Sequence, residues 1–351
     1  MMSKIVKNGT FTGKRGKNHI QGMAVDEKND RIYYSFTTKL VATKLDGTPV
    51  GSADGLLGHL GCICFNPVDG LVYGSLEYKH DAIGRGIAER LGTNADFTDG
   101  FYIAVFDGNK ITREDMDAAA DGIMTAAFLP DVLDDYSSRG AYLRPHRYGC
   151  SGIDGTTIAP EPGKPDGKKY LYVAYGIYGD TARRDDDCQV LLRYDIADIK
   201  KAAKKLSQTD MHRSNPGKPL SKYFVFTGNT EWGVQNLSWD EKEKLMFMAV
   251  YRGHKKQYSN HGMYAADMTK APVKAKIPGL RETGEFLTLC KIPGLDSDKT
   301  PGWDFDLGQY GMPCFPDGSF LIAQPGRDEE GDFGYVYNYR FSLKDGFTKD
   351  E

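Results

Sequence analysis

Two histidines bracket one pair of strand-like runs. His59 opens His59-Leu60-Gly61-Cys62-Ile63-Cys64-Phe65-Asn66, and His80 follows the run Leu71 to Leu76 that comes next. A hairpin through both runs would bring the two imidazoles to one end, where they could take and return a proton near neutral pH. His146-Arg147-Tyr148 precedes another such run, adding a guanidinium suited to clamping a carboxylate and a phenol suited to proton transfer. His59, His80, Tyr148 and Arg147 are therefore the expected catalytic set. The expected substrate-binding set is His19, Gln21, Arg85, His146, Asp154, Tyr178, Trp232, Gln235, Asn236, Trp303, Gln309, Tyr310 and Arg327. Lys79, Arg183, Arg184, Arg252 and His254 add positive charge to the same loops, and Asp180 and Asp185 to Asp187 partly cancel it. An aromatic and basic lining on a chain of net charge −3 points to a small anionic ligand, a uronic-acid or phosphorylated sugar.

Glu77, Glu231 and Asp154 are the carboxylates expected nearest this site, and a pair of them at suitable separation would fit glycoside cleavage. His19 and His59 with a carboxylate could instead hold a divalent metal, the one cofactor the residues leave open. Cys62 and Cys64 alternate on one strand, but no second pair at zinc-site spacing accompanies them. No HExxH, P-loop, Gly-x-Ser-x-Gly or GxGxxG motif stands in its required context.

These residues recur at one place in a repeated element: a polar or glycine-rich opening, a short apolar strand, an Asp/Asn/Pro turn and an aromatic strand. The openings start at His19, His59, Gly152, Gly233 and Gln309. The second strands are Arg31 to Phe36, Leu71 to Leu76, Lys169 to Ala174, Lys244 to Ala249 and Ser319 to Ala323. Two further strand-like runs follow each of the first four pairs: Leu40–Leu45 and Pro49–Ser52, Phe101–Phe106 and Met124–Leu129, Gln189–Tyr194 and Tyr223–Thr227, Met263–Asp267 and Glu285–Cys290. The fifth has Tyr335 to Phe341 and then the chain nearly ends, so Ile5 to Phe11 is expected to supply its missing outer strand and close the ring.

The expectation is an all-β fold, a five-bladed β-propeller of one domain spanning residues 1–351, or six blades if the long second unit is split. The 21 Tyr, 17 Phe, 41 Gly and 16 Pro suit many short strands and tight turns. Aligned openings place His19, Gln21, His59, Asp154, Gln235, Asn236, Gln309 and Tyr310 around the axis, where they either bind a ligand or satisfy one another around ordered water. Loops Glu77–Gly100, Gly176–Cys188, Tyr251–His261 and Gln324–Gly334 belong on the same face, with Ile83–Leu91 as a helical lid. Glu114–Ala120 and Ile196–Leu206 read as short structural helices.

The N-terminus shows no apolar leader, no stretch is long enough to span a bilayer, and the cysteines sit in strand patterns as buried thiols. These features point to a cytoplasmic protein with no membrane or nucleic-acid partner and leave its oligomeric state open.

The first unit, His19-Ile20-Gln21-Gly22-Met23 leading to Ile32-Tyr33-Tyr34-Ser35 and Lys44-Leu45-Asp46-Gly47, resembles the opening of five-bladed glutaminyl cyclotransferase propellers. Their second blade opens on a catalytic glutamate beside glycine; here Gly58-His59-Leu60-Gly61 stands there, which argues against cyclotransfer. Five-bladed glycosidases use three inner-strand carboxylates, of which Asp154 alone has a counterpart. The His59–His80 spacing is similar to that of a histidine pair in propeller polysaccharide lyases, which also use a tyrosine and an arginine on uronates. The whole chain also resembles a set of uncharacterised bacterial propellers. Together these imply a carbohydrate-active enzyme, lyase or hydrolase, cleaving a small uronate-containing oligosaccharide. The alternatives are a non-catalytic sugar- or protein-binding propeller and a glutaminyl cyclase-like acyltransferase.

Overall fold

The computed structural model describes residues 9–93, 98–292 and 300–350. The chain forms a five-bladed β-propeller. A short N-terminal strand, β1 (Thr10–Phe11), precedes blade one, which is β2 (Gly22–Asp26), β3 (Arg31–Phe36), β4 (Lys39–Thr43) and β5 (Pro49–Asp54). Blade two is β6 (His59–Asn66), β7 (Leu71–Tyr78), β8 (Gly100–Phe106) and β10 (Met124–Phe128), with helix α1 (Ala82–Leu91) between β7 and β8. The short β9 (Met116–Asp117) leaves blade two to pair in parallel with β5. Helix α2 (Pro130–Ser137) leads to blade three: β11 (Cys150–Glu161), β12 (Lys164–Ile177), β13 (Cys188–Tyr194) and, after helix α3 (Ile196–Ala202), β14 (Ser221–Phe226). Blade four is β15 (Thr230–Asp240), β16 (Leu245–Arg252) and β17 (Met263–Asp267). The hairpin β18 (Val273–Lys276) and β19 (Thr283–Phe286) crosses to the outer edge of blade three, where β19 runs parallel to β14. Blade five contains β20 (Ser319–Asp328), β21 (Gly331–Ser342) and β22 (Gly346–Lys349).

Five apolar clusters occupy the five seams between blades. Alternation along a strand sends successive side chains to opposite faces, so β3 gives Ile32 and Tyr34 to the seam with blade five and Tyr33 to the seam with blade two. The seams from blade two to three, three to four and four to five are equally continuous, centred on Ile103 with Val173, Tyr172 with Met248, and Phe247 with Phe341. A ring closed by five such seams needs no sixth sheet, and the long second unit forms a single four-stranded one.

Closure differs in detail from expectation. Thr10 and Phe11 pair with Val336 and Tyr335, while Ile5 to Asn8 lie outside the described residues. The C-terminal β22 shares the same side of β21, pairing further along it. Glu285–Cys290 does not form one outer strand of blade four: its first part joins blade three, and Leu289 only bridges Ala266. The fifth opening is a 3-10 turn at Gly308–Tyr310 rather than a regular strand, held by Leu321 N to Pro313 O and Ala323 N to Gly311 O. Glu114–Ala120 contributes β9 and a turn instead of a helix, because Asp117 captures the Ala119 and Ala120 amides. Gln324–Gly334 is the paired tip of the β20–β21 hairpin and not a loop. Helix α2 was not anticipated. No helix among the described residues is long and apolar enough to cross a membrane.

Candidate functional site

Strand β7 carries the centre of the site. Its register sets Glu77 opposite His59, and the period of two places Glu77, Lys79 and Asp81 on one side while Tyr78 and His80 face away. Lys79 Nζ lies 2.5 Å from Glu77 Oε1 and 3.4 Å from Asp81 Oδ2, and donates to Ser151 O at 2.7 Å. Glu77 Oε2 accepts the Ile153 amide at 2.9 Å. That approach depends on glycine: at Gly152, with φ of 128°, a Cβ would stand 1.9 Å from Glu77 Oε2.

Asp154 reaches the same spot from blade three. A β-bulge between Ile153 and Thr156 breaks the regular pairing of β11 around it and re-aims the side chain, as bulges do next to functional sites. Comparable irregularities follow Leu60 on β6 and Glu231 on β15. Three neighbouring inner strands are thus bent at the same depth, around His59, Asp154 and Gln235. His59 Nδ1 lies 3.6 Å from Glu77 Oε1 and 3.8 Å from Asp154 Oδ1, beyond hydrogen-bond length to both. Nδ1 is fully buried and has no hydrogen-bond partner, so the ring's 10 % exposure falls on its other atoms. Gln235 Nε2 donates to Asp154 Oδ2 at 3.2 Å and to Trp232 O at 3.0 Å.

The charges are mutually dependent. Burial pushes Asp154 up, to about 7, against the opposing pull of His59. Burial alone would lower His59, but Glu77 and Asp154 outweigh it and hold the imidazole above its usual value. Glu77 goes the other way: burial would raise it, yet Lys79 and His59 keep it below the ordinary glutamate range. Lys79 is likewise held protonated by Glu77 and Asp81 despite its burial. The outcome is a fixed ion pair, Glu77–Lys79, beside two buried groups that both hold their protons more tightly than usual, His59 and Asp154.

The other openings line the rest of the funnel. Gln21 Nε2 is 3.1 Å from His19 Nε2, and burial and the His59 charge both lower His19. Tyr310 meets the His19 ring edge-on and lies against Tyr251, whose hydroxyl burial keeps protonated. Asn236 donates to Gln21 O at 2.8 Å and Gln309 O at 2.9 Å, and Gln309 donates to Val250 O. Asn236 and Gln309 thereby stitch blades together.

The expected catalytic quartet is not one site. His80 points outward, half-exposed, with Nδ1 3.0 Å from Asp99 Oδ1, and Arg85 donates to its carbonyl. Arg147 pairs with Glu282 and stacks over Tyr148, whose ring packs on Phe224 at the outer edge of blade three. His146 is wedged between Tyr136 and Tyr178, its Nδ1 bonded to Tyr136 O at 2.7 Å. Tyr178 donates to Asp81 at 2.8 Å and packs near Trp232, so both stand behind the ion pair. Trp303 is core, packed on Phe247 and Phe341. Arg327 is tied to Asp332, Arg252 to Asp304 and Asp306, His254 to Glu231, and Arg183 to Asp185. Arg184 is exposed. Among the described residues no group of His, Cys, Asp and Glu is arranged to hold a metal, His19 and His59 included. Asp81, Ser151 and Tyr251 were missed by the sequence reading. The alternation Glu77-x-Lys79-x-Asp81 continuing an evident strand was the available signal for the first.

Helix α1 covers one flank. Asp81 caps it by accepting Ile83 N and Gly84 N, and Ile83, Gly84 and Ile87 close a small crevice against His59, Glu77 and Lys79.

No protein-family model matches the chain, and no curated protein does. Solved structures with a similar arrangement include a functionally unknown protein from Desulfotomaculum acetoxidans DSM 771, at 10% identity and a TM-score of 0.36 over 95% of this chain and 69% of that one. The Dos1 propeller is similar at 12% identity and 0.34, over 94% and 80%. A GH43 β-1,3-galactosidase solved with galactodeoxynojirimycin is similar at 11% and 0.43, over 97% of both chains. Likeness at this level supplies no argument about chemistry.

Proposed function

We propose that the chain is an acid–base enzyme of carbohydrate chemistry, a lyase in which His59 takes the proton α to the carboxylate of a small uronate-bearing saccharide at the funnel mouth. The observation that carries this reading is the His59 ring, with one buried edge turned to Glu77 and Asp154 and its remaining exposure on the other atoms. A carboxylate behind an imidazole favours the charged form that proton abstraction produces, so the base is the unprotonated fraction of His59, a fraction that grows as pH rises. Asp154, kept neutral up to about pH 7 by burial, can donate to the substrate carboxylate beside the Gln235 amide, the task first expected of Arg147. Tyr251 keeps its proton and is the candidate acid for the leaving oxygen. Two-carboxylate hydrolysis fits less well, because Glu77 is 2 % exposed and committed to Lys79 and Ile153 N.

An elimination product carries a conjugated double bond and absorbs in the ultraviolet. A panel of oligouronates should give that absorbance, and His59→Ala should lower turnover at least about 100-fold with the fold intact. New reducing ends without absorbance would identify hydrolysis instead. Binding without any turnover would leave the propeller a sugar-binding module.

A further inference from the structure

Strand β15 enters blade four through two successive left-handed residues, Trp232 and Gly233, with φ of 63° and 69°. They lie in the irregular stretch between Glu231 and Val234, where the pairing with β16 shifts register. Glycine is required at the second position, since a Cβ on Gly233 would stand 2.5 Å from Tyr175 O. No comparable reason puts tryptophan at the first. A bulky residue with positive φ is a genuine outlier, and strain of this kind gathers where a ligand is held.

Packing does not account for the indole either. Trp232 is half-buried and belongs to none of the five apolar clusters that fill the seams. Its one ring neighbour among the described residues is Tyr178, edge to face at 6.1 Å. The chain's other two tryptophans, Trp239 and Trp303, are buried, and their Nε1 atoms are sealed from solvent. Trp232 Nε1 is neither sealed nor bonded to any described residue.

Gln235 ties this residue to the charged half of the funnel. Its Nε2 donates both to Trp232 O and to Asp154 Oδ2. A backbone carbonyl can only accept, so the nitrogen end of the amide is fixed on that side. Oε1 points the other way. It accepts nothing from the described residues and is not sealed, although Gln235 as a whole is only 7% exposed. A buried amide with one end satisfied and an open acceptor at the other is placed to meet a ligand.

We infer that Trp232 and Gln235 Oε1 form a second saccharide subsite beside the reacting one, in which the neighbouring sugar ring lies on the indole and one of its hydroxyls donates to Gln235 Oε1. A pyranose has an apolar C–H face and a rim of hydroxyls, and a flat indole next to an oriented acceptor matches both. Gln235 holds Trp232 and Asp154 together, so the subsite is set at a fixed distance from the acid. The inference rests on the reading of the funnel as a saccharide site, and it is independent of the reaction carried out there.

Tryptophan fluorescence tests it, because Trp232 is the one tryptophan of the three that is not buried. On the His59→Ala chain, which should not consume its ligand, an oligouronate should change the emission and protect it from acrylamide. Trp232→Asn should raise the dissociation constant measured by calorimetry about tenfold. The melting temperature should hold or rise, because asparagine accepts left-handed φ more readily than tryptophan. Trp232→Phe keeps a ring and should recover part of the affinity. A panel of acidic and neutral oligosaccharides that leaves the emission unchanged overturns the inference, and so does an affinity indifferent to Trp232→Asn. A lowered melting temperature with affinity intact also overturns it, by making the indole a packing group. Turnover without dependence on Trp232 would keep the lyase reading and remove the subsite. Trp232-dependent binding with no ultraviolet product from the unaltered chain would do the reverse.

Discussion

Where blades four, five and one meet at the axis, Asn236 spends both amide protons on the Gln21 and Gln309 carbonyls, and Gln309 spends its amide on Val250. Where blades two and three meet, the same depth holds His59, Glu77, Lys79 and Asp154, four ionisable groups of which one nitrogen, His59 Nδ1, is left buried and unbonded. Both halves begin from polar openings of inner strands. One half uses neutral amides that satisfy backbone and hold the ring shut; the other uses charges whose protonation depends on their neighbours. A polar residue at the start of an inner strand is therefore not by itself a sign of chemistry, whereas ionisable groups sharing a buried contact are.

The sharpest way to break this contrast is to remove Lys79. Lys79→Met leaves the Glu77 carboxylate buried with its principal counter-charge gone, and breaking such a pair by one partner costs about 3–5 kcal/mol. Urea unfolding should show that loss, and Glu77→Gln added to Lys79→Met should restore a good part of it. If Lys79→Met is nearly neutral, the pair is not what fixes Glu77.

Asn236→Ala should cost less, about 1–3 kcal/mol for carbonyls left without donors, and should do so without altering any pH dependence. Denaturation midpoints across pH separate the two halves on that criterion. A pH-dependent loss from Asn236→Ala would dissolve the distinction.

The third contrast is the pH dependence itself. Asp154 has its folded pKa raised from 3.8 to about 7, so the folded state binds its proton more tightly than the unfolded chain does. Its stabilising contribution is full below the unfolded value and is lost as pH rises toward about 7. His59, also raised, adds a loss of the same sign as pH passes its folded value. Glu77 is depressed, so its contribution is present above the usual glutamate value and lost as pH falls. Asp154→Asn should remove the decline between pH 4 and 7; a decline that persists unchanged would assign it to other groups.

Much of the ring was legible because a repeated opening, turn and aromatic strand leaves a period that the five seams then use. What failed was pairing beyond the repeat. Glu285 and Phe286 read as blade four because they follow Asp267, but an edge strand takes whichever neighbour lies alongside, here β14. His59, Asp154 and Gln235 were found from their shared place in the repeat. Arg147 and Tyr148 were drawn into the same set because they precede an inner strand, yet left-handed φ at His146 and Tyr148 accompanies a turn outward, a conformation no residue type there announces. The register of β7 decides the rest: extending its alternation by a few residues puts Lys79 inside and His80 outside.

That alternation yields the smallest and most discriminating effect. His80→Ala removes a half-exposed ring from the neighbourhood of Asp99, and exposed pairs of this kind contribute little. Turnover of any substrate found should stay within about twofold of wild type, the range expected for a side chain that touches no reacting atom, while His59→Ala loses nearly all of it. Equal losses from both substitutions would mean that the histidines act together after all, and that the loop after Tyr78 turns over when ligand binds. A loss confined to His80 would move the chemistry from the axis to the rim of blade two, where the paired carboxylate is Asp99 and not Asp154.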